Sequence, residues 1–188
     1  MKYRIIHKIL SILGIRFLEN VCIAPSFVAR PSGFEVKILS SKELRDLCDQ
    51  GVLSYSVNDI ARIEEEVAIC VVAFESGGVA GICWYARTHY AHTPGYVAYI
   101  AEGFLCGYGL RIMPNYRGRG VHGVLVSKAL EWAHQNGKKG LLLAINFDNP
   151  ASIKSALKLG FNSIGYSFYH SRLKGFSKVR SHYFIGAA

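Results

Sequence analysis

Two rhythms of apolar and polar positions run along this chain. Residues 2–19 set Ile5, Ile6, Ile9, Leu10, Ile12, Leu13, Ile15, Phe17 and Leu18 among Lys2, Arg4, Lys8 and Arg16. That spacing predicts a basic amphipathic helix, broken or capped near Gly14. Pro25, Pro31 and Gly33 mark 20–33 as a linker. Residues 34–39 alternate as a strand does. Ser40 or Ser41 then caps a helix to about Gln50, with Glu43 in its first turn, and Gly51 closes it. Residues 57–66 suit a second helix. Residues 67–74 form a strongly apolar strand, Gly77-Gly78 signals a hairpin turn, and 79–90 return as its partner. After a turn at 92–95, residues 96–112 form a long apolar and aromatic strand region. Gly103, Gly107 and Gly109 predict a bulge or break within it.

The second half is more regular. Residues 121–136 read as a helix with Leu125, Ala129, Trp132 and Ala133 on its core face, ended by Gly137. Residues 140–147 are almost wholly apolar, as a central strand covered on both faces would be. Asp148 or Asn149 caps the next helix, Pro150 suits its first turn, and Gly160 ends it. Residues 163–169 and 179–185 form a final hairpin. The order β-α-α-β-β-β-α-β-α-β-β predicts an α/β (α+β) domain over 34–188, a mixed sheet with helices on both faces. Residues 1–33 form an amphipathic extension and linker.

Composition narrows the class. The chain has 188 residues, enough for one domain with a sizeable core. Its 51% hydrophobic content excludes a disordered chain. No apolar run reaches membrane-span length. The extension is too short at its apolar centre for a signal peptide, and Arg16 interrupts it. Packing against the main domain or a second subunit is the favoured role, with membrane-surface contact as the alternative. The net charge of +9 points to an anionic partner. Cys22, Cys48, Cys70, Cys83 and Cys106 are odd in number and include no C-x-x-C pair. Core packing in a reducing, cytoplasmic setting fits them better than disulfides or zinc, and no metal is expected.

The chemistry concentrates at residues 112–123, Ile-Met-Pro-Asn-Tyr-Arg-Gly-Arg-Gly-Val-His-Gly. A strand enters, a glycine-rich turn follows, and a helix leaves. The first N–H groups of a helix lack internal partners, and the dipole adds positive potential, so the turn can cradle a phosphate. Gly118, Gly120 and Gly123 admit close approach, and Arg117 and Arg119 add charge. Residues 118–123 also fit G-x-G-x-x-G, with Asp148 as a ribose acid. That dinucleotide fingerprint expects a strand running straight into the first glycine. A Walker loop is absent, and a solvated basic turn is the plain alternative.

Arg117-x-x-Gly120, with Ile112-x-Pro114 upstream, resembles the acyl-CoA pyrophosphate loop of the GNAT N-acetyltransferase superfamily. Residues 149–161, Asn-Pro-Ala-Ser-Ile-Lys-Ser-Ala-Leu-Lys-Leu-Gly-Phe, resemble the segment that closes the cofactor site in that family, with Lys158, Gly160 and Phe161 matching. The resemblance covers about 34–188. It implies a mainly antiparallel sheet with two splayed strands at the acyl-CoA site, and acetyl-CoA or another acyl-CoA as co-substrate. Backbone groups of Leu110, Arg111 and Ile112 would pair with the pantetheine arm. Those of Arg119, Gly120, Val121, His122 and Gly123, beside Arg117 and Gly118, would hold the pyrophosphate, and Asn149 would flank the arm. The acceptor would be an amine on a small molecule, a sugar nucleotide or a protein, with no nucleic acid and with homodimers common in the fold.

Two positions depart from that pattern. His122 stands where the loop has Gly or Ala, and Ala156 where many members carry a tyrosine thought to protonate the leaving thiolate. Tyr108 and Ser155 are the substitute acids considered. Glu102 is the candidate base, the one carboxylate in the run that alternates with Phe104, Cys106 and Tyr108. Trp84, Tyr85, Arg87, His89, Tyr90, Tyr96 and Tyr99 crowd the preceding hairpin, as strand core or as an acceptor pocket. The basic run from 172 to 180 is either a solvated turn or part of an attracting field. The rival readings are a non-catalytic acyl-CoA, RNA or membrane-binding module of the same fold, and an NAD(P) oxidoreductase.

Overall fold

The computed structural model of the chain describes residues 9–10, 12–23, 33–93, 96–170, 177–179 and 184–187. Eleven strands and four α-helices are described: β1 Ile15–Ile23, β2 Glu35–Leu39, α1 Ser41–Asp49, α2 Val57–Glu64, β3 Ala68–Glu75, β4 Gly78–Ala86, β5 His89–Thr93, β6 Tyr96–Ile100, β7 Phe104–Ile112, α3 Val121–Gln135, β8 Gly140–Asn146, α4 Pro150–Lys158, β9 Asn162–His170, β10 Ser177–Val179 and β11 Phe184–Ala187. Eight strands form one sheet in the order β10-β9-β1-β8-β7-β4-β3-β2, and β11-β6-β5 form a second. Among the described strand pairs, β7–β8 alone is parallel. The result is the mixed sheet that the element order implied, mainly antiparallel as the resemblance implied.

Local chemistry explains the helices. Ser40 Oγ accepts the Glu43 N–H at 3.3 Å, and Glu43 Oε2 accepts the Ser40 N–H at 2.8 Å. Ser56 and Asp59 repeat this reciprocal box at α2. Each box satisfies otherwise orphaned donors, worth about 1 kcal/mol. Asn149 Oδ1 caps α4 by accepting the Ser152 N–H at 3.1 Å, with Pro150 in the first turn.

The sheet is covered on both faces. α3 buries Val121, Val124, Leu125, Val126, Ala129, Leu130 and Ala133 against Ile69, Val71, Cys83, Tyr85, Leu105, Leu141 and Leu143. Ile153, Ala156 and Leu159 of α4 join the same core. Fully burying each leucine or valine is worth about 1.5–3 kcal/mol. On the opposite face Leu44 of α1 and Ile60 of α2 pack with Leu53, Cys70, Val72, Ile82 and Trp84.

Three expectations change. Residues 9, 10 and 12 are helical, but Ile15–Ile23 form a strand, not the end of a helix and the start of a linker. β1 lies between β8 and β9 and pairs antiparallel with both. Two ladders of backbone bonds outweigh a local helical rhythm, because propensity is a weak preference against tertiary pairing. The remainder of that helix and linker, residues 1–8, 11 and 24–32, lies outside the described residues. Residues 79–90 divide into β4 and β5, and 96–112 into β6 and β7, so that β5 and β6 leave for the second sheet. Tyr90, Ile100, Phe104 and Leu142 share a small core where the two sheets meet. The final hairpin changes partners: β9 pairs with β10, which meets the expected 179–185 only at Val179, while Phe184–Ala187 pair with β6 and 180–183 lie outside the described residues.

One feature of register positions the site. β7 and β8 pair only from Phe104–Gly107 against Gly140–Leu143. Trp84 then pairs with Tyr108 and Ile82 with Arg111, so Gly109 and Leu110 together face Cys83. This is a β-bulge, and Gly109 takes φ +63° within it. Past the bulge β7 follows β4, while β8 follows β1. The two parallel strands fork, as the resemblance implied.

Candidate active site

The fork opens toward the face that carries α3 and α4. Where β7 ends, the Met113 N–H donates to the Ala80 carbonyl at 3.0 Å, anchoring the chain to β4. Pro114–Tyr116 then form one 3₁₀ turn. Gly120 is the N-cap of α3, at φ +81° and with no side chain capping the helix. A left-handed N-cap suits glycine, and it leaves the first turn of α3 open to an anionic guest.

A cleft of about 790 Å³ lies there. Leu110, Arg111 and Ile112 of β7 form one wall. Asn149, Ser152, Ser155 and Lys158 of α4 form the other. Arg117, Gly118, Gly120, Val121, His122 and Gly123 close the end between them. The structure thus brings together every residue expected to meet the cofactor but one, while Phe161 of the second motif is buried in the core. Ala151, Ser152 and Leu159 were not singled out, and Lys158 only as a match in the closing segment. Their signal was the helical spacing from Asn149 and Ser155, which puts them on one side of α4.

Arg119 is the exception. Its guanidinium donates to both carboxylate oxygens of Glu75, one bond at 2.9 Å, and lies 5.3 Å from the ring centroids of Phe34 and Tyr116. Its N–H donates to the Tyr116 carbonyl at 3.4 Å. Arg119 ties the loop to β3 and does not line the cleft. The cations that line it are Arg117 and Lys158; Arg111 is a wall residue too, but its cross-strand partner Ile82 belongs to the core beneath α1 and α2.

His122 fills the place of the expected small residue. Its Nδ1 lies 2.8 Å from Ser155 Oγ, joining the first turn of α3 to α4. Burial pushes its pKa down to about 4, so the imidazole is neutral at neutral pH. Ser155 is therefore tied to the helix-start end of the cleft through this bond.

Neither of the other two chemical candidates lines the cleft: Glu102 lies away from it, and Tyr108 stands at the fork. Glu102 is exposed in the turn before β7. It is separated from Leu110 by eight residues of mostly extended chain, about 26 Å. The alternation with Phe104 and Cys106 fails because Glu102 is not in the strand, so it does not reach the cleft. Tyr108 is the first residue of β7 past the last β7–β8 pair, and it faces α2 rather than α3. Its hydroxyl accepts from Arg62 Nε at 3.1 Å, and Tyr90 stacks on its ring at 5.4 Å. Burial holds its pKa up at about 12, with Arg62 opposing, so the phenol keeps its proton. Ala156 is fully buried in the α3–α4 core.

The dinucleotide reading does not fit this geometry. A 3₁₀ turn separates β7 from Gly118, and the sheet has a single parallel pair among the described strands in place of a βαβ series.

No curated protein matches the sequence at a significant level. Solved structures match the fold at low identity. AAC(6')-Iy in complex with the bisubstrate analogue CoA-S-monomethyl-acetylneamine is 18% identical, with a TM-score of 0.50 over 70% of this chain and 92% of that one. An aminoglycoside acetyltransferase from an uncultured soil metagenomic sample, in complex with trehalose, is 9% identical, with a TM-score of 0.51 over 68% and 87%. A GCN5-related N-acetyltransferase from Kribbella flavida is 13% identical, with a TM-score of 0.52 over 83% of this chain and 59% of that one. The model of the acetyltransferase (GNAT) family matches residues 38–161, well over half of the sequence. Forked strands, an uncapped helix end behind a glycine turn and this match agree: the chain belongs to the acetyltransferase (GNAT) family.

Proposed function

We propose that the protein transfers an acetyl group from acetyl-CoA to an amine. The observation that carries this reading is the fork at Gly107 and Leu143, which opens into the cleft ended by the bare first turn of α3. The pyrophosphate would sit at that turn, with Arg117 and Lys158 beside it. The pantetheine arm would run along Leu110–Ile112, where β7 has lost β8 as a hydrogen-bonding partner. The thioester would then reach the fork near Tyr108.

The amine nitrogen attacks the thioester carbon, the C–S bond breaks, and the sulfur leaves as the thiolate of coenzyme A. The proton released by the amine passes to solvent or a base. The chain contributes by holding the two reactants in line and by offering the Tyr108 phenol as a donor at the fork.

Calorimetric titration with acetyl-CoA, and with NADP as control, tests this reading. Saturable binding of acetyl-CoA is expected, with loss on Gly120→Glu in a protein whose circular dichroism is unchanged. That change sets a carboxylate against the phosphates and strains a residue at φ +81°. NADP binding without acetyl-CoA binding would sink the proposal.

A further inference from the structure

Arg62 is a half-buried cation whose partners are all neutral. Its Nε donates to the Tyr108 hydroxyl at 3.1 Å, and its Nη2 donates to the His89 carbonyl at 2.7 Å. The guanidinium carbon lies 5.6 Å from the centroid of the Tyr108 ring. No carboxylate stands within 4.0 Å of it among the described residues. Arg45, Arg87 and Arg119 each hold a glutamate instead. Asp59, one turn earlier on α2, is committed to the Ser56 cap. Two of the five guanidinium N–H donors are therefore used, and three remain. A cation drawn partly out of water without a counter-ion is unfavourable unless a ligand supplies one.

Position gives this cation a meaning. The cleft lies on the α3–α4 face of the sheet, and Arg62 lies on the α1–α2 face. Both meet at Tyr108, where the strands fork. A thioester brought to the fork from the cleft has its near side filled by its own pantetheine arm. An attacking group must then approach from the opposite face, beside Arg62.

A second cation points the same way. The bulge at Gly109 puts Arg111 opposite Ile82, and Ile82 belongs to the core beneath α1 and α2. Arg111 is exposed; burial raises the pKa of the half-buried Tyr55, and Arg111 is among the groups that oppose it. Tyr55 packs edge-on against Trp84 at 5.3 Å, and Trp84 lies beside Tyr108. Two arginines and these rings share one side of the fork.

We infer that the acceptor is an amine that also carries an oxyanion, carboxylate or phosphate, and that Arg62, with Arg111 near it, binds that anion. Arg62 is pre-oriented by Tyr108 and His89, so little side-chain freedom is lost when the anion arrives. The inference rests on the transferase reading and extends it to a substrate class.

The test follows thiol release from acetyl-CoA with matched acceptors: free amino acids against their amides, and aminoalkyl phosphates against the corresponding amino alcohols. The anionic member of at least one pair should be favoured about tenfold or more in kcat/KM. The two kinds of pair separate carboxylate from phosphate. Arg62→Met should raise the KM of the anionic acceptor about tenfold and bring the ratio within the pair near one, with Arg62→Lys between. Acetyl-CoA affinity by calorimetry should stay within about twofold in both variants, since Arg62 lies across the sheet from the cleft.

A purely structural Arg62 would lower stability and leave the ratio unchanged, and that result overturns the inference. So does a preference for neutral amines, or acceptance of no anionic amine by protein that binds acetyl-CoA. Failure to bind acetyl-CoA would instead strike the transferase reading beneath it.

Discussion

His122 and Ser155 join the two helices that frame the cleft, Nδ1 to Oγ at 2.8 Å. The bond spans the place where a smaller residue would leave open space at the helix end. It makes the α3 end of the cleft a braced structure rather than a bare turn.

That brace has a pH signature. The folded-state pKa of His122 is about 4, against 6.5 for a free histidine. The folded chain therefore holds the proton less readily than the unfolded one. The contribution is complete above pH 6.5 and is lost as pH falls from 6.5 to about 4, reaching about 3 kcal/mol at most. Denaturant unfolding across pH 7 to 4 should show this slope, and His122→Asn should flatten it. An unchanged slope in the variant would place the titration elsewhere.

Arg117 and Arg119 should separate cleanly. Arg117 lines the cleft, whereas Arg119 is held by Glu75 on β3. Arg117→Ala should weaken acetyl-CoA binding about tenfold, as loss of a charged phosphate contact does. Arg119→Ala should change it about twofold or less, and Glu75→Gln should mimic Arg119→Ala. Equal losses in the two arginine variants would contradict the assignment.

Gly81 controls how closely the loop helix seats on the sheet. A Cβ there would lie 2.7 Å from Val121 Cγ1 and 3.0 Å from Ile112 Cδ1. Val121 is β-branched and stiff, so it cannot swing aside. Gly81→Ala should cost about 1–3 kcal/mol by chemical denaturation. It should also weaken acetyl-CoA binding, because Val121 and Ile112 both line the cleft. Loss of stability with unchanged binding would show the loop to be independent of β4.

Restoring a tyrosine at 156 should not improve catalysis. Ala156 is fully buried against the α3 core and Phe161. Ala156→Tyr adds a ring to a filled space, at a cost of about 1–3 kcal/mol. A lower melting temperature with no gain in kcat is expected. A rise in kcat would mean that the new phenol reaches the fork after all.

The parts of the site that were legible in the sequence are those built by near neighbours. Residues 112–123 specify their own turn, and the cap at Asn149 specifies the helix that faces it. Gly109 announced the bulge. Residues whose roles depend on distant pairing were not legible. β1 depends on β8 and β9, more than a hundred residues away, which no local rhythm reports. Glu102 seemed to share a face with Tyr108 only while 96–112 was one strand. Arg62 gave no signal, because α2 meets Tyr108 only after β4 and β7 have paired. Arg119 looked like Arg117 until Glu75 arrived beside it from β3.

The place of β1 sets an order of events during synthesis. β1, the first of the described strands, has to wait for β8 and β9, since both of its ladders are with strands that follow residue 139. While the ribosome is still at work, β2, β3 and β4 can pair among themselves, but β1 has no partner. A nascent chain released before β9 could hold the glycine loop, α3 and β8, yet β1 would lie against β8 with its other edge unpaired. Closure of the sheet is therefore a late, long-range step, the kind that slows folding most. In this protein β1 and strands more than a hundred residues later have to find each other before the fork is fixed.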